Sequence, residues 1–128
     1  MLNAIKKELI LRKDEMAFQI DTVYFGGGTP SLLNTEDINS LLDLIKEHYN
    51  LSTNPEITLE ANPDDLSASK IEELAISEVN RLSIGVQSFF DKDLTYMNRA
   101  HTAIEAKKSL ELATRYFDNI SIDLIYGL

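Results

Sequence analysis

An α/β fold, a parallel sheet with crossover helices, is what this chain predicts, and three observations carry the prediction. Four short runs rich in β-branched and aromatic residues (22–25, 56–60, 81–86 and 119–125) alternate with segments of helical period. Side chains suited to capping open those helical segments. Each run is followed at its C-terminal side by glycines or polar residues. Strands separated by helices require a parallel sheet with right-handed crossovers.

Leu2, Ile5, Leu9 and Met16 mark one face of a first helix, which leads into the strand 22–25. Val23, Tyr24 and Phe25 suit a buried strand, which breaks into Gly26-Gly27-Gly28-Thr29-Pro30-Ser31. Glycines here remove every side chain and permit positive φ, so backbone N–H groups can approach a ligand closely. A tight strand-to-helix turn without a ligand is the competing reading. Asn34-Thr35-Glu36-Asp37 supplies a cap followed by acids at the positive end of a second helix. Ile38, Leu41, Leu42, Ile45 and Tyr49 form its apolar stripe.

An Asn54-Pro55 turn precedes the strand 56–60, and Ser69-Lys70-Ile71-Glu72 fits a capping box for a third helix, one with room to begin a few residues earlier. Ile71, Leu74 and Ala75 are its core side. The third strand is 81–86. Thr102-Ala103-Ile104-Glu105 is a second capping box, opening a helix with Ala103, Ala106, Leu110, Ala113 and Phe117 on its apolar face. The fourth strand is 119–125.

Composition narrows the function classes. The chain has 128 residues, enough for one domain, with 44% hydrophobic and 26% charged residues. Twelve Lys and Arg against 21 Asp and Glu argue against nucleic acid, whose phosphates need a cluster of cations. Apolar runs fall short of a bilayer span and the N-terminus lacks a signal-peptide core, so the sequence predicts a cytoplasmic protein without a transmembrane segment. There is no cysteine, hence no disulfide, no thiolate nucleophile and no ligand for a conventional iron–sulfur cluster.

The strand exits carry the chemistry. They present Gly26-Gly27-Gly28-Thr29, then Glu60-Ala61-Asn62-Pro63, then Gly85-Val86-Gln87-Ser88, then Asp123. Singly, Glu60 caps a turn, Gln87 satisfies loop backbone and Asp123 is an exposed residue. Delivered together to the C-terminal edge of a parallel sheet, where such folds bind ligands, they point to a ligand site.

The segment 22–33, with Val23-Tyr24-Phe25-Gly26-Gly27-Gly28-Thr29-Pro30-Ser31, resembles the glycine-rich S-adenosylmethionine segment of radical SAM enzymes. More narrowly it is similar to the oxygen-independent coproporphyrinogen III oxidase family, which includes haem-chaperone relatives. Three further blocks agree in collinear order: Glu56-Ile57-Thr58-Leu59-Glu60-Ala61-Asn62-Pro63, Asn80-Arg81-Leu82-Ser83-Ile84-Gly85-Val86-Gln87-Ser88-Phe89 and Ile122-Asp123-Leu124-Ile125-Tyr126-Gly127-Leu128. The resemblance implies four strands of a radical SAM partial (β/α) barrel that binds S-adenosylmethionine at the strand ends. Carried over by position, Gly27 meets the amino-acid end of one S-adenosylmethionine and Glu60 contacts the same molecule. Gly28, Thr29, Gln87, Arg99 and Asp123 match positions lining a second S-adenosylmethionine in the oxidase. A carboxylate suits an ammonium or ribose hydroxyls, an amide both donates and accepts, and an arginine grips a carboxylate. Without the resemblance, Arg99 reads as a surface ion pair with Asp91 or Asp93.

The same resemblance implies a [4Fe–4S] cluster held by a Cys-x-x-x-Cys-x-x-Cys segment upstream of the first helix, and a C-terminal domain. Residues 1–128 are therefore expected to be a fragment of a radical SAM core domain, with a degenerate paralogue as the alternative. The implied activity is oxidative decarboxylation of coproporphyrinogen III propionates to vinyl groups through a 5′-deoxyadenosyl radical, in porphyrin and haem biosynthesis. The alternative is haem chaperoning, toward which the Arg-x-His of Asn98-Arg99-Ala100-His101 leans. This chain alone is expected to be inactive, for want of cluster cysteines.

His101 reads as a solvent-exposed or backbone-bonded loop residue rather than a haem ligand, and His48 as a partner of a helix dipole. Neither makes a metal site. Glu78 and Tyr116 stand where helix-ending glycines are more usual. An unrelated nucleotide-binding module ranks behind, because Thr29-Pro30 follows Gly28 where a P-loop has its lysine. Expected partners are the small-molecule cofactor and a tetrapyrrole substrate. Four strands cannot close a barrel, so open sheet edges predict self-association.

Overall fold

The structure is a computed structural model that describes residues 1–127. Leu128, the last residue of the fourth motif, lies outside the described residues. The helices are α1 (Leu2–Leu11), α2 (Thr35–His48), α3 (Ala68–Ala75), α4 (Asp91–Tyr96) and α5 (Ala103–Ala113). The strands are β1 (Ile20–Phe25), β2 (Leu51–Ala61), β3 (Arg81–Gln87) and β4 (Ile120–Leu124). All pair in parallel in the order β1-β2-β3-β4, the α/β architecture the sequence predicts. Each strand is added beside the one before it. With crossovers of a single hand, that order keeps the helices on one face, as in a barrel wall.

Side-chain alternation makes the two faces chemically opposite. Phe25, Leu59, Leu82 and Ile120 are register partners across all four strands, and Ala61, Ile84 and Ile122 make the next row. Apart from Ile122, which stays exposed at the edge, these rows meet Ile38 and Leu42 of α2, Ile71 and Leu74 of α3, and Ala106 and Ala113 of α5 in one core. Phe117, just beyond α5, closes it. The opposite face is polar: Tyr24, Thr58 and Arg81 form one register row across β1, β2 and β3, and Glu60, Ser83 and Ser121 form the next across β2, β3 and β4. Arg81 donates to Thr58 Oγ1 (3.3 Å) and Ser121 Oγ (2.9 Å), so this face is cross-linked rather than greasy.

The caps follow the sequence with one shift. The Asn34 side chain accepts the Asp37 N–H at 2.7 Å, and Thr102 with Glu105 forms the expected reciprocal capping box. For α3 the cap is Ser67, which accepts from the Lys70 N–H, and not Ser69. Two serines two residues apart compete for that role, and Ser69 is drawn into the first turn with its hydroxyl 3.1 Å from that of Ser67.

Three expectations are corrected, and one helix is added. Helix α1 ends at Leu11, and Met16 lies past a 3₁₀ turn at Lys13–Glu15. None of the α1 residues is fully buried, because the helix packs chiefly against α2. Strand β1 is an edge strand and only half-buried, with Tyr24 54% exposed. Asn54-Pro55 is no turn before β2 but lies within it. Between Ile20↔Leu51 and Thr22↔Glu56 the register advances two residues on β1 and five on β2, so the proline sits in a bulge that needs no N–H. Finally, α4 fills the stretch after β3, too short and polar to show a helical stripe. Neither Glu78 nor Tyr116 has a positive φ, so those turns are built without a left-handed residue.

Candidate functional site

The strand exits converge on a pocket of about 150 Å³ at the C-terminal edge of the sheet. Gly28, Thr29, Glu60, Gln87, Arg99 and Asp123 all line it. Gly27 stands beside it, its N–H donating to Glu60 Oε2 at 3.1 Å. The seven residues singled out by sequence are thus brought together, from four strand exits and one interhelical loop.

The three glycines serve different ends. A Cβ on Gly26 would lie 2.8 Å from the Tyr24 ring and 3.2 Å from Glu60 Oε1, so this position is bare for want of room. Gly27 and Gly28 have φ of 76° and 62° with nothing within 4 Å of an added Cβ. Their need is conformational, and Gly28 leaves bare backbone in the pocket wall beside the Gly27 N–H that Glu60 holds. Pro30 then opens a 3₁₀ turn, Pro30–Leu32.

Glu60 is the pivot of the first half of the site. Its Oε1 accepts from the Tyr24 hydroxyl at 2.8 Å while Oε2 takes the Gly27 N–H. One carboxylate thereby holds the glycine loop to the sheet and keeps lone pairs directed at the pocket. Ser83 beside the Tyr24 phenol lowers its pKa. The hydrogen bond to Glu60, desolvation and the Glu60 charge together outweigh that, and the phenol titrates above its ordinary range.

Gln87 and Arg99 form the second half. Gln87 ends β3 with φ of 66°, an unusual left-handed conformation for a side-chain-bearing residue. Gly85 makes room for it: a Cβ there would sit 2.8 Å from Gln87 Nε2, 3.5 Å from Asn62 Oδ1 and 3.6 Å from Arg99 Nη2. Arg99 donates from Nη2 to Asn62 Oδ1 at 2.7 Å. It pairs with neither Asp91 nor Asp93. Asp91 accepts the Ala103 N–H at 2.8 Å and Asp93 accepts the Ser88 hydroxyl at 2.9 Å, which removes the ion-pair reading of Arg99.

His101 is not solvent-exposed. It is 2% exposed, and since a carbonyl only accepts, its Nε2–H donates to Val86 O at 3.0 Å. Its Nδ1 lies 3.4 Å from Asp64 Oδ1. No group of three or more His, Cys, Asp or Glu arranged for a metal occurs among the described residues. Tyr24, Asn62 and Ser83 also reach the site and were not singled out by sequence. Their signal is the period-two alternation of the strands, which puts residues 24, 58, 60, 81 and 83 on one face.

A roomier groove of about 480 Å³ lies between α1, α2 and β1. It is mostly apolar, and its charged residues Glu8, Arg12 and Glu15 pair with one another at the rim. Without convergent polar groups it is the weaker candidate.

Residues 2–128 match the Radical SAM superfamily. The chain belongs to the radical SAM superfamily. It is 44% identical to the heme chaperone HemW of Lactococcus lactis over 92% of its own length and 32% of that protein. It is 41% identical to the heme chaperone HemW of Bacillus subtilis over 99% of its length and 34% of that protein. Among solved structures it is similar to the coproporphyrinogen III oxidase HemN of Escherichia coli, a radical SAM enzyme. The TM-score there is 0.87 with 32% identity, covering 99% of this chain and 30% of that one. The chain therefore spans about a third of the length of the relatives it matches. This radical SAM segment has its polar pocket at the strand ends, where parallel sheets bind ligands. No helix of the described residues is long and apolar enough to cross a membrane.

Proposed function

We propose that this segment binds S-adenosylmethionine across the ends of β1, β2 and β3, within a radical SAM protein acting on tetrapyrroles. The observation that carries the reading is the juxtaposition of the glycine loop with Glu60. A carboxylate already bonded to the Gly27 N–H lies beside bare, left-handed backbone where a ligand can make close contact. The donor set suits the cofactor: N–H groups and Gln87 for its carboxylate and ribose, Glu60 and Asp123 for its ammonium or hydroxyls, and Arg99 for a carboxylate. A pocket of about 150 Å³ holds part of such a molecule, below the ~300 Å³ at which drug-sized sites begin.

S-adenosylmethionine supplies radical chemistry when cleaved, and the protein supplies binding and orientation. Glu60 orients the glycine loop through Gly27 and is itself oriented by Tyr24. Asn62 holds the Arg99 guanidinium over the pocket. The residues of this segment do not fit a thiolate-held iron–sulfur cluster, since the chain has no cysteine.

Two activities remain within this reading. Oxidative decarboxylation of coproporphyrinogen III is supported by the likeness to the Escherichia coli oxidase at 32% identity. Haem chaperoning is supported by the higher identity, 44% and 41%, to the HemW proteins, and we favour it. Calorimetric titration of the chain with S-adenosylmethionine tests the binding reading. Saturable heat that is lost in Glu60→Gln supports it, and no heat in the parent chain overturns it. Haem titration of a full-length protein carrying this segment, run beside a decarboxylation assay, separates chaperone from oxidase.

A further inference from the structure

The turn that follows β2 touches the glycine loop, the loop between α4 and α5, and α5 itself. Residues 62–65 run from Asn62 through a 3₁₀ turn, Pro63–Asp65. Asp65 Oδ2 accepts the hydroxyl of Ser31 at 2.8 Å, and Ser31, 3% exposed, closes the glycine loop after β1. Pro63 O accepts the hydroxyl of Ser109 in α5 at 2.9 Å. Asn62 Oδ1 accepts from Arg99 at 2.7 Å, and Asp64 Oδ1 faces His101 Nδ1 at 3.4 Å. Asn62, Pro63 and Asp65 thus grip, in turn, the Arg99 loop, helix α5 and the glycine loop, while Asp64 lies beside the His101 ring without a hydrogen bond to it.

Burial shows that these contacts are built in. Ser31, Pro63, His101 and Ser109 are all buried, and the His101 ring is further tied to the end of β3 through Val86 O. Ser31 and His101 lie outside the pocket lining. Their side chains are spent on holding loops that themselves reach the pocket, at Gly28 and Thr29 on one side and at Arg99 on the other.

We infer that the 62–65 turn is a positioning element that couples the glycine loop to the Arg99 loop, so that the two halves of the pocket are set as one unit. Ser31 and His101 are its positioning residues. The inference rests on the proposed S-adenosylmethionine site for its functional meaning, but the mechanical coupling stands on the free protein.

Amide hydrogen exchange in the ligand-free chain tests it, with two reporters that are hydrogen-bonded at rest. Gly27 N–H donates to Glu60, and Arg99 N–H donates to Leu94 O at 2.9 Å. Ser31→Ala is expected to speed exchange at Arg99 about tenfold, and His101→Gln to speed it at Gly27 by a similar factor, while core amides of β3 stay protected. Each variant loosening only its own loop overturns the inference, as does a uniform rise that includes β3. Should His101→Gln not fold, Ser31→Ala decides alone. In the ligand arm, S-adenosylmethionine affinity is expected to fall about fivefold in each single variant and by much less than the product in the double variant. Additive losses count against coupling. A parent chain that binds no S-adenosylmethionine removes the binding proposal and leaves the exchange result to decide the coupling.

Discussion

Tyr24 and Glu60 are joined across β1 and β2 by a phenol-to-carboxylate hydrogen bond of 2.8 Å. Tyr24→Phe deletes the donor and frees Glu60 Oε1, so S-adenosylmethionine affinity is expected to fall about threefold to tenfold with little change in melting, Tyr24 being more than half exposed. Calorimetry and thermal melts of the same samples check it.

The same pair has a pH signature. The Tyr24 phenol titrates above its ordinary value in the folded chain. Whatever stability this contributes is present below the unfolded value, near 10.0, and is lost as pH rises through the higher folded one. Ultraviolet titration is expected to show one tyrosine moving down in Glu60→Gln. A tyrosine titration unchanged by that substitution contradicts the account.

Gly85→Ala is expected to disable the second half of the pocket while sparing the fold. The new methyl would lie 2.8 Å from Gln87 Nε2, the free end of a flexible side chain that can swing aside. It also comes within ordinary contact of Asn62 and Arg99. Affinity is expected to drop about tenfold, ~1.4 kcal/mol, with melting nearly unchanged. A large melting loss would mean that the methyl displaces backbone instead.

Leu59→Ala strikes the centre of the apolar row that joins Phe25 to Leu82. Leu59 is 0% exposed, and its truncation is expected to cost about 2–5 kcal/mol by urea denaturation. A smaller cost would show that α2 and α3 close over the gap.

The purified 128-residue chain is expected to self-associate through its outer strands. On β4, Ile122 and Leu124 are 39% and 51% exposed, with no strand beyond them among the described residues. Sedimentation velocity over a range of concentrations is the check, with Leu124→Lys expected to reduce the association. A concentration-independent monomer removes the idea.

How much of this was legible in the sequence depends on whether a residue's role is local. Asn34 and the Thr102–Glu105 box were readable because a cap is satisfied three residues away. The stripe of α2 was readable because Ile38, Leu41 and Leu42 need only one covered face. Met16 was misplaced because an apolar residue at helical spacing carries no mark of where the helix ends. Asn54-Pro55 read as a turn because its role as a bulge is set by the register with β1. Of the pocket, Gly27, Gly28, Glu60, Gln87 and Asp123 were visible as strand exits. Arg99 rested on the resemblance alone, and its bond to Asn62 joins positions with nothing local to link them. Tyr24 and Ser83 lie inside the strands, where alternation assigns each a face but only the register with the neighbouring strand sets what it touches.

The opposition of the two sheet faces has a consequence for how such a segment can change. Along each strand, adjacent letters answer to different demands: Ile57 and Leu59 to packing against the helices, Thr58 and Glu60 to the polar face. Two messages are interleaved at alternate positions, so one can be rewritten while the other is held fixed. A library that varies Tyr24, Thr58, Ser83 and Ser121 together would explore new ligand preferences without consulting the helices at all. Descendants of one such ancestor could diverge in what they bind and still share a nearly invariant scaffold.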